Sequence, residues 1–313
     1  MVPVQHLKVW TTTWIQCNAV GCASWPHRVG KTDLCIEVAR RLETSVVSCD
    51  SRQLYKEMRI GTAVPSSEQL KQVHHYFIQS RSVQDPYDAW HFEKDALRKI
   101  RELFAQGNED VVMCGGSMMY IDAVCNGIDE VPSIPEEVRN ELMQTFNEQG
   151  LEPIREELLH RDPVFYNQVD LNNTQRVIHA VEVCRVAGVP FSELRTKTVK
   201  EREFEIVKIG LFREREELYE RIDKRVDLMV DEGLVEEARS LYPNRELNAL
   251  NTVGYKELFD HFDGKYDLAE AIRLIKRNSR HYARKQMTWF KRDKSINWFH
   301  PDDKESIFNL LGV

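Results

Sequence analysis

Three residues constrain this chain more than any others: Gly30-Lys31-Thr32, the back half of the phosphate-binding pattern G-x-x-x-x-G-K-[ST]. In an intact loop of this kind backbone N–H groups wrap a diphosphate, the lysine neutralises its charge and the hydroxyl binds magnesium. The loop has to open a helix and be followed by a strand, and the sequence agrees. Leu34, Cys35, Val38, Ala39 and Leu42 recur at helical spacing, and Ser45-Val46-Val47-Ser48-Cys49 reads as a short buried strand. The competing reading of the triplet is an exposed helix start with no ligand.

A second strand is predicted over Val111-Val112-Met113-Cys114. It runs into Gly115-Gly116-Ser117 and a helix from Met118, whose N-terminus can turn N–H groups toward an anion. A third strand is expected within Phe204–Phe212. Strands alternating with helices predict an α/β fold, a P-loop NTPase-like parallel sheet flanked by helices, with ligands beyond the strands' C-terminal ends. Asp50 and Ser117 both fall there. Residues from about 127 to 202 break the alternation, are rich in helix formers and open with Pro132 and Pro135, which predicts an inserted all-helical subdomain. The chain thus divides into 1–126, the first part of the core, then 127–202, then 203–313, the rest of the core with basic C-terminal helices. Glu214–Tyr242 is expected to continue as helix, with Leu218, Ile222, Val226 and Met229 on one apolar face.

At 313 residues the chain is long enough for two domains. It carries no apolar run near the roughly 20 residues of a membrane helix, which predicts a soluble protein without membrane association. Seven cysteines, at positions 17, 22, 35, 49, 114, 125 and 184, form no C-x-x-C pair. Their odd, scattered distribution argues against a zinc site and a disulfide framework, and for a reducing cytoplasm.

The first 28 residues contain no Asp or Glu and hold three of the six tryptophans, Trp10, Trp14 and Trp25, which is not a normal first strand. Trp25 stands where the loop needs its first glycine. If Ser24-Trp25-Pro26-His27-Arg28 is reverse-translated and the frame moved one nucleotide downstream, permitted codons spell Leu-Gly-Pro-Thr-Gly. The same shift turns residues 17–23 into an aliphatic strand. The segment upstream of Val29 is therefore expected to be translated out of frame; the alternative is a divergent but genuine N-terminus.

Among candidate site residues, Lys31 would stabilise charge on a leaving diphosphate and Thr32 would hold Mg²⁺. Asp50, just past its strand, could hold the metal through water or accept a proton; its bland reading is a helix N-cap. Adjacent His74 and His75 diverge and have no supporting carboxylate spacing, so they read as structural. Arg215, just past the third strand, can reach the strand-end cleft, whereas Glu217 and Arg221 make an ordinary i, i+4 surface pair. The net charge of −7 does not exclude nucleic acid, because binding needs only a local basic face. From Arg273 to Lys294 there are nine Lys/Arg and one acid, Asp293, with Tyr282, Trp289 and Phe290 interleaved and Arg273, Arg277, Arg280 and Arg284 on one helical face. That pattern predicts salt-sensitive contact with a nucleic-acid backbone.

Taken together, Gly30-Lys31-Thr32, Asp50-Ser51-Arg52-Gln53-Leu54-Tyr55, Ile60-Gly61-Thr62-Ala63, Gly115-Gly116-Ser117, Asn172 to Arg176, Val253-Gly254-Tyr255 and Arg284-Lys285-Gln286-Met287-Thr288-Trp289 resemble the bacterial tRNA dimethylallyltransferases over residues 29 to about 300. The resemblance implies transfer of a dimethylallyl group from dimethylallyl diphosphate to the exocyclic N6 amine of the adenosine on the 3′ side of the anticodon, in tRNAs reading codons that begin with U. It implies that Gly30, Lys31, Thr32 and Arg215 hold the diphosphate with Mg²⁺ assisting, that Asp50 is the general base, and that Ser117, at the family's threonine position, orients the adenine. Asp50, Ser117 and Thr32 are then the catalytic set. The anticodon stem-loop would be met by Asp50, Ser51, Arg52 and Gln53, by Gln175, Arg176, Val177, Ile178 and His179, by Asn251, Thr252, Val253, Gly254, Tyr255 and Lys256, and by Arg280 and Arg284. The inserted subdomain would clamp the RNA, and the protein would act as a monomer. Trp25 and His27 depart from the family's G-P-T, which predicts weakened diphosphate binding. A P-loop small-molecule or nucleotide kinase and a non-catalytic RNA-binding relative are the competing functions. The long insertion and the basic aromatic helix stand against the first, and Trp25 keeps the second open.

Overall fold

The centre of the fold is a six-stranded, wholly parallel sheet in the order β3-β2-β4-β1-β5-β6. The computed structural model describes residues 8–13, 31–196 and 198–313. In chain order these form β1 (Lys8–Thr13), α1 (Lys31–Arg41), β2 (Val46–Ser48), α2 (Ser67–Gln72), β3 (His75–Tyr76), α3 (Ala89–Ala105), β4 (Asp110–Gly115) and α4 (Met118–Asn126). Five helices follow: α5 (Glu136–Gln149), α6 (Glu152–Arg161), α7 (Pro163–Tyr166), α8 (Thr174–Ala187) and α9 (Phe191–Leu194). The chain ends with β5 (Glu205–Leu211), α10 (Arg215–Asp231), α11 (Leu234–Leu241), α12 (Tyr255–Phe262), α13 (Leu268–Phe290), β6 (Ile296–Phe299) and α14 (Lys304–Leu311). Gly30 and Trp25 to Arg28, and with them the reading-frame expectation, lie outside the described residues.

Both sheet faces are covered, which explains why β2 and β4 are apolar at successive positions instead of alternating. Val47 and Cys49 of the β2 segment, with Val111 and Met113 of β4, pack with Phe92, Ile100 and Leu103 of α3 and Ile121 and Val124 of α4. Val46 and Val112, one residue out of phase, pack with Leu34, Val38 and Ala39 of α1 and Ile307 and Phe308 of α14. A separate core lies between the 54–63 segment, α10 to α12 and the first turns of α13.

Two sequence expectations are corrected here. The first 28 residues do not read as a normal first strand, yet Lys8–Thr13 pairs in parallel with β4 and β5, Val9 opposite Val111 and Ile206. The continuous helix over Glu214–Tyr242 is two helices, because Gly233 sits at φ 102°, a left-handed conformation that ends α10 and starts α11.

The chain separates into two compact units, Met1–Cys125 with Arg202–Val313, and Asn126–Glu201. The second has its own core of Leu142, Ile154, Leu158, Phe165, Val181 and Phe191. At its centre the buried Asp162 carboxylate accepts from Phe165 N–H (2.8 Å), Ser192 N–H (2.7 Å) and Ser192 Oγ–H (2.7 Å), so that one side chain caps α7 and ties down α9.

Candidate active site

Where β2 and β4 end, two loops converge. After β4, Gly115-Gly116-Ser117 folds back on the end of β2 so closely that a Cβ at Gly115 would lie 2.4 Å from the Cys49 carbonyl carbon, a separation only glycine allows. Ser117 N–H donates to Cys49 O (3.2 Å), and the Ser117 carbonyl accepts the first helical bonds of α4 from Tyr120 and Ile121. Its side chain, 8% exposed, accepts from Ser51 N–H (2.7 Å) and donates to Ser51 Oγ (2.9 Å). From the other side the buried Gln286 of α13 donates its amide to Gly116 O (2.6 Å) and holds the turn in place.

Asp50 ends the β2 segment. Its Oδ1 accepts from Arg52 N–H (2.9 Å) and Gln53 N–H (3.2 Å), an Asx turn and not the helix cap of the bland reading. Among the described residues no donor reaches Oδ2, so one carboxylate oxygen sets the loop while the other is left without a donor, in a residue that lines the cleft. That cleft, about 290 Å³, is lined by Asp50, Ser51, Arg52 and Ser117 from the strand ends and by Thr62, Thr252, Val253, Lys256 and Tyr282 from the surrounding helices and loops. Lys256 makes no ion pair among the described residues. Arg52 does not reach for a ligand: its guanidinium donates to the carbonyls of Asn248 (3.1 Å) and Ala249 (3.0 Å). The amide of Gln53 likewise donates to Thr62 O (3.1 Å) and Ala63 O (3.0 Å), so both residues brace the walls.

The remaining sequence candidates divide. Lys31 and Thr32 open α1. Arg215 lies in a second cleft of about 630 Å³ with Arg213, Tyr219, Arg284, Met287, Lys291 and Trp298, beyond the end of β5. Its guanidinium bonds Tyr219 Oη (3.2 Å) and lies over that ring. Glu217 and Arg221 form the expected surface pair, but Glu217 mainly holds the buried Arg213 at 2.6 Å. In α8, Gln175, Arg176 and His179 are exposed, whereas Val177 and Ile178 are buried in the helical unit's core and cannot offer side chains to an RNA. Tyr255 is also corrected. It is fully buried, with its hydroxyl on Glu237 (2.6 Å), while its neighbours Asn251 and Lys256 are exposed. His75 is structural as expected: its Nδ1 meets Val73 O at 2.8 Å, and burial pushes its pKa down.

The arginine face of α13 is only partly free. Arg273 pairs with Glu270, Lys276 with Asp227, and Arg280 with Asp223, while Arg277, Arg284 and Lys285 make no ion pair among the described residues. The half-buried Trp289 donates its Nε1–H to Asp122 (2.9 Å), whose pKa burial raises despite that bond. Glu237 and Gln286 were missed as site residues. Gln286 lies inside a recognised motif, but nothing local marks Glu237, whose partners are far away in sequence.

The sequence also matches known proteins. The IPP transferase family model matches residues 53–293. The chain belongs to the tRNA dimethylallyltransferase family. It is 55% identical to tRNA dimethylallyltransferase 2 of Parabacteroides distasonis over 286 residues, 91% of this chain and 95% of the relative. It is 51% identical to tRNA dimethylallyltransferase 1 of Bacteroides fragilis with the same shares of each chain. Among solved structures, the full-length tRNA isopentenylpyrophosphate transferase from Bacillus halodurans is 32% identical, with a TM-score of 0.68 over 98% of this chain and 96% of its own. The fold is also that of a eukaryotic dimethylallyltransferase, 21% identical, with a TM-score of 0.74 over 96% of this chain and 75% of its own.

Proposed function

We propose that the chain transfers the dimethylallyl group of dimethylallyl diphosphate to the N6 amine of the adenosine 3′-adjacent to the anticodon in tRNAs reading U-starting codons, as a cytoplasmic monomer. The observation that carries the reading is the strand-end cleft that Asp50, Ser117 and Lys256 line together, in a chain of this family. In the reaction the adenine nitrogen attacks C1 of the dimethylallyl group, the C1–O bond breaks, and diphosphate leaves with the electron pair. The N6 proton goes to Asp50 Oδ2. Adenine's amine is a weak nucleophile, so the step depends on alignment and on a base that accepts the proton as the bond forms. Ser117, fixed by Ser51, orients the ring. A base in a loop leaves its stack at lower cost than one in a duplex, which suits an anticodon substrate.

The sheet serves as a P-loop NTPase-like core, with the diphosphate on Gly30, Lys31 and Thr32 at the head of α1, where N–H groups and the helix dipole favour an anion, and on Arg215. Mg²⁺ would be held by the Thr32 hydroxyl, a hard oxygen donor at the head of α1, and mainly by the diphosphate itself; no three His, Cys, Asp or Glu gather among the described residues. When bound, the ion offsets charge on the departing group. Gln175, Arg176 and His179 of the helical unit, Asn251, Thr252, Val253 and Lys256, and Arg284 of α13 meet the RNA, and residues 127–202 act as its clamp. Among the described residues no helix is long and apolar enough to cross a membrane.

The test is prenyl transfer from labelled dimethylallyl diphosphate to anticodon stem-loop RNA, by this chain and by a Trp25→Gly/His27→Thr variant. Transfer is expected from both and faster from the variant. Phosphate transfer from ATP without any prenylation would overturn the reading, and equal rates would show that the missing glycine is tolerated.

A further inference from the structure

Glu237 lies outside the cleft and touches none of the residues assigned to chemistry, yet its carboxylate is fully engaged. Oε2 accepts from Arg59 N–H (2.9 Å) and Ile60 N–H (2.8 Å), and Oε1 accepts from Gly61 N–H (2.8 Å) and Tyr255 Oη–H (2.6 Å). Three consecutive backbone donors and one buried phenol thus converge on a single side chain of α11. The packing around it leaves no slack. Tyr255 has no solvent exposure, and a Cβ at Gly61 would lie 2.5 Å from its hydroxyl oxygen.

The two segments joined in this way are two walls of the cleft. Gly61 precedes Thr62, which lines it, and the Thr62 carbonyl receives the amide of Gln53 from the Asp50 loop. Tyr255 begins α12 two residues after Val253 and directly before Lys256, and Thr252, Val253 and Lys256 all line the cleft. Movement of Gly61 away from Tyr255 would therefore widen the cleft between Thr62 and the 252–256 segment without touching Lys31, Thr32 or α1.

We infer that Glu237 is a positioning residue for the RNA side of the reaction: by holding Gly61 and Tyr255 together it sets the width of the cleft that receives the target adenine. The inference rests on the proposed function, because only a flat base entering between these walls makes their spacing matter. It assigns a role to the carboxylate on α11, to the glycine at 61 and to the buried tyrosine at 255 with one piece of geometry.

The experiment uses the full-length chain and an anticodon stem-loop RNA carrying 2-aminopurine at the target position, with binding followed by anisotropy and base entry by fluorescence. Three variants loosen the clamp from different sides: Tyr255→Phe removes one hydrogen bond, Glu237→Gln places an N–H₂ against at least one N–H donor, and Gly61→Ala forces the walls apart. Wild type is expected to bind and give the fluorescence change of an unstacked base. In each variant, at equal folded fraction by circular dichroism, the overall Kd should stay within about threefold, because phosphate contacts dominate affinity, while the fluorescence change falls by at least half. Variants that fold and retain the wild-type signal overturn the inference, as does a loss of signal wholly accounted for by unfolded protein. Wild type that binds without any signal would instead overturn the proposed base entry, so the two failures are distinguishable.

Discussion

The proposed reaction gives Asp50 a second job beside holding its loop, and a substitution can separate the two. An asparagine at 50 keeps an acceptor for the N–H groups of Arg52 and Gln53 but cannot take the N6 proton. General-base contributions are typically about 10²–10⁴-fold, so Asp50→Asn should lower the single-turnover prenylation rate by about that factor while leaving the Kd for stem-loop RNA within about twofold. Asp50→Ala, which also releases the Asx turn, should weaken binding as well. Single-turnover transfer and anisotropy on the same preparations check both, and an Asp50→Asn enzyme of near-normal rate would remove Asp50 as the base. The position was legible in sequence because a carboxylate directly after a buried parallel strand has to lie at the ligand edge of the sheet. Glu237 was not legible, since its four donors come from residues 59–61 and 255 and no periodicity links them to α11.

Elements were readable where one physical signal dominated. β2 and β4 announce themselves as apolar runs because the sheet is covered on both faces. The break at Gly233 was hidden because apolar residues continue at helical spacing on either side of it. Similarly, the turn from Gln175 to His179 reads as one recognition segment, but helical geometry exposes only part of it and sends Val177 and Ile178 into the core. Charges within the helical unit give its elements a pH signature. Burial pushes the carboxyl of Glu157 up, but hydrogen bonds from Arg185 and Arg161 outweigh it and leave its pKa below the ordinary 4.5. Glu182 behaves alike, with burial opposed by His179 and Arg139. For acids whose folded pKa is depressed, the stabilisation is fully present above the unfolded value and is lost as pH falls through the folded one. Amide exchange in α6 and α8 should therefore be flat above about pH 5 and accelerate, relative to the intrinsic rate, once the pH drops below the ordinary glutamate range. Glu157→Gln should remove much of that acid dependence; an unchanged profile would show that the ion pairs contribute nothing.

On the scale of the whole molecule the chain is an anion, net charge −7, that has to hold a polyanion, and the arrangement of its cations decides how. The stretch from Arg273 to Lys294 looks in sequence like one uniform basic face, but carboxylates on α10 and at the start of α13 neutralise Lys276, Arg280 and Arg273. Among the described residues the charge without an ion-pair partner is left on Arg277, Arg284 and Lys285 and, at and beyond the end of the helix, on Lys291, Arg292 and Lys294. His281, between Arg277 and Arg284, has a lowered pKa, from desolvation first and then from Arg284, Arg277, Arg280 and Lys285, so it is less charged than an ordinary histidine. Each phosphate neutralised by a free cation contributes about 0.7–0.9 to the slope of log K against log salt. Titrating stem-loop RNA at several salt concentrations should thus give a slope that Arg284→Ala reduces by about 1, whereas Arg273→Ala, whose guanidinium is held by Glu270, leaves it unchanged. Glu270→Ala should release that arginine and steepen the slope. Equal effects of the two arginine substitutions would mean that the pairing does not survive in the complex, and that RNA competes successfully with the protein's own carboxylates for the helix.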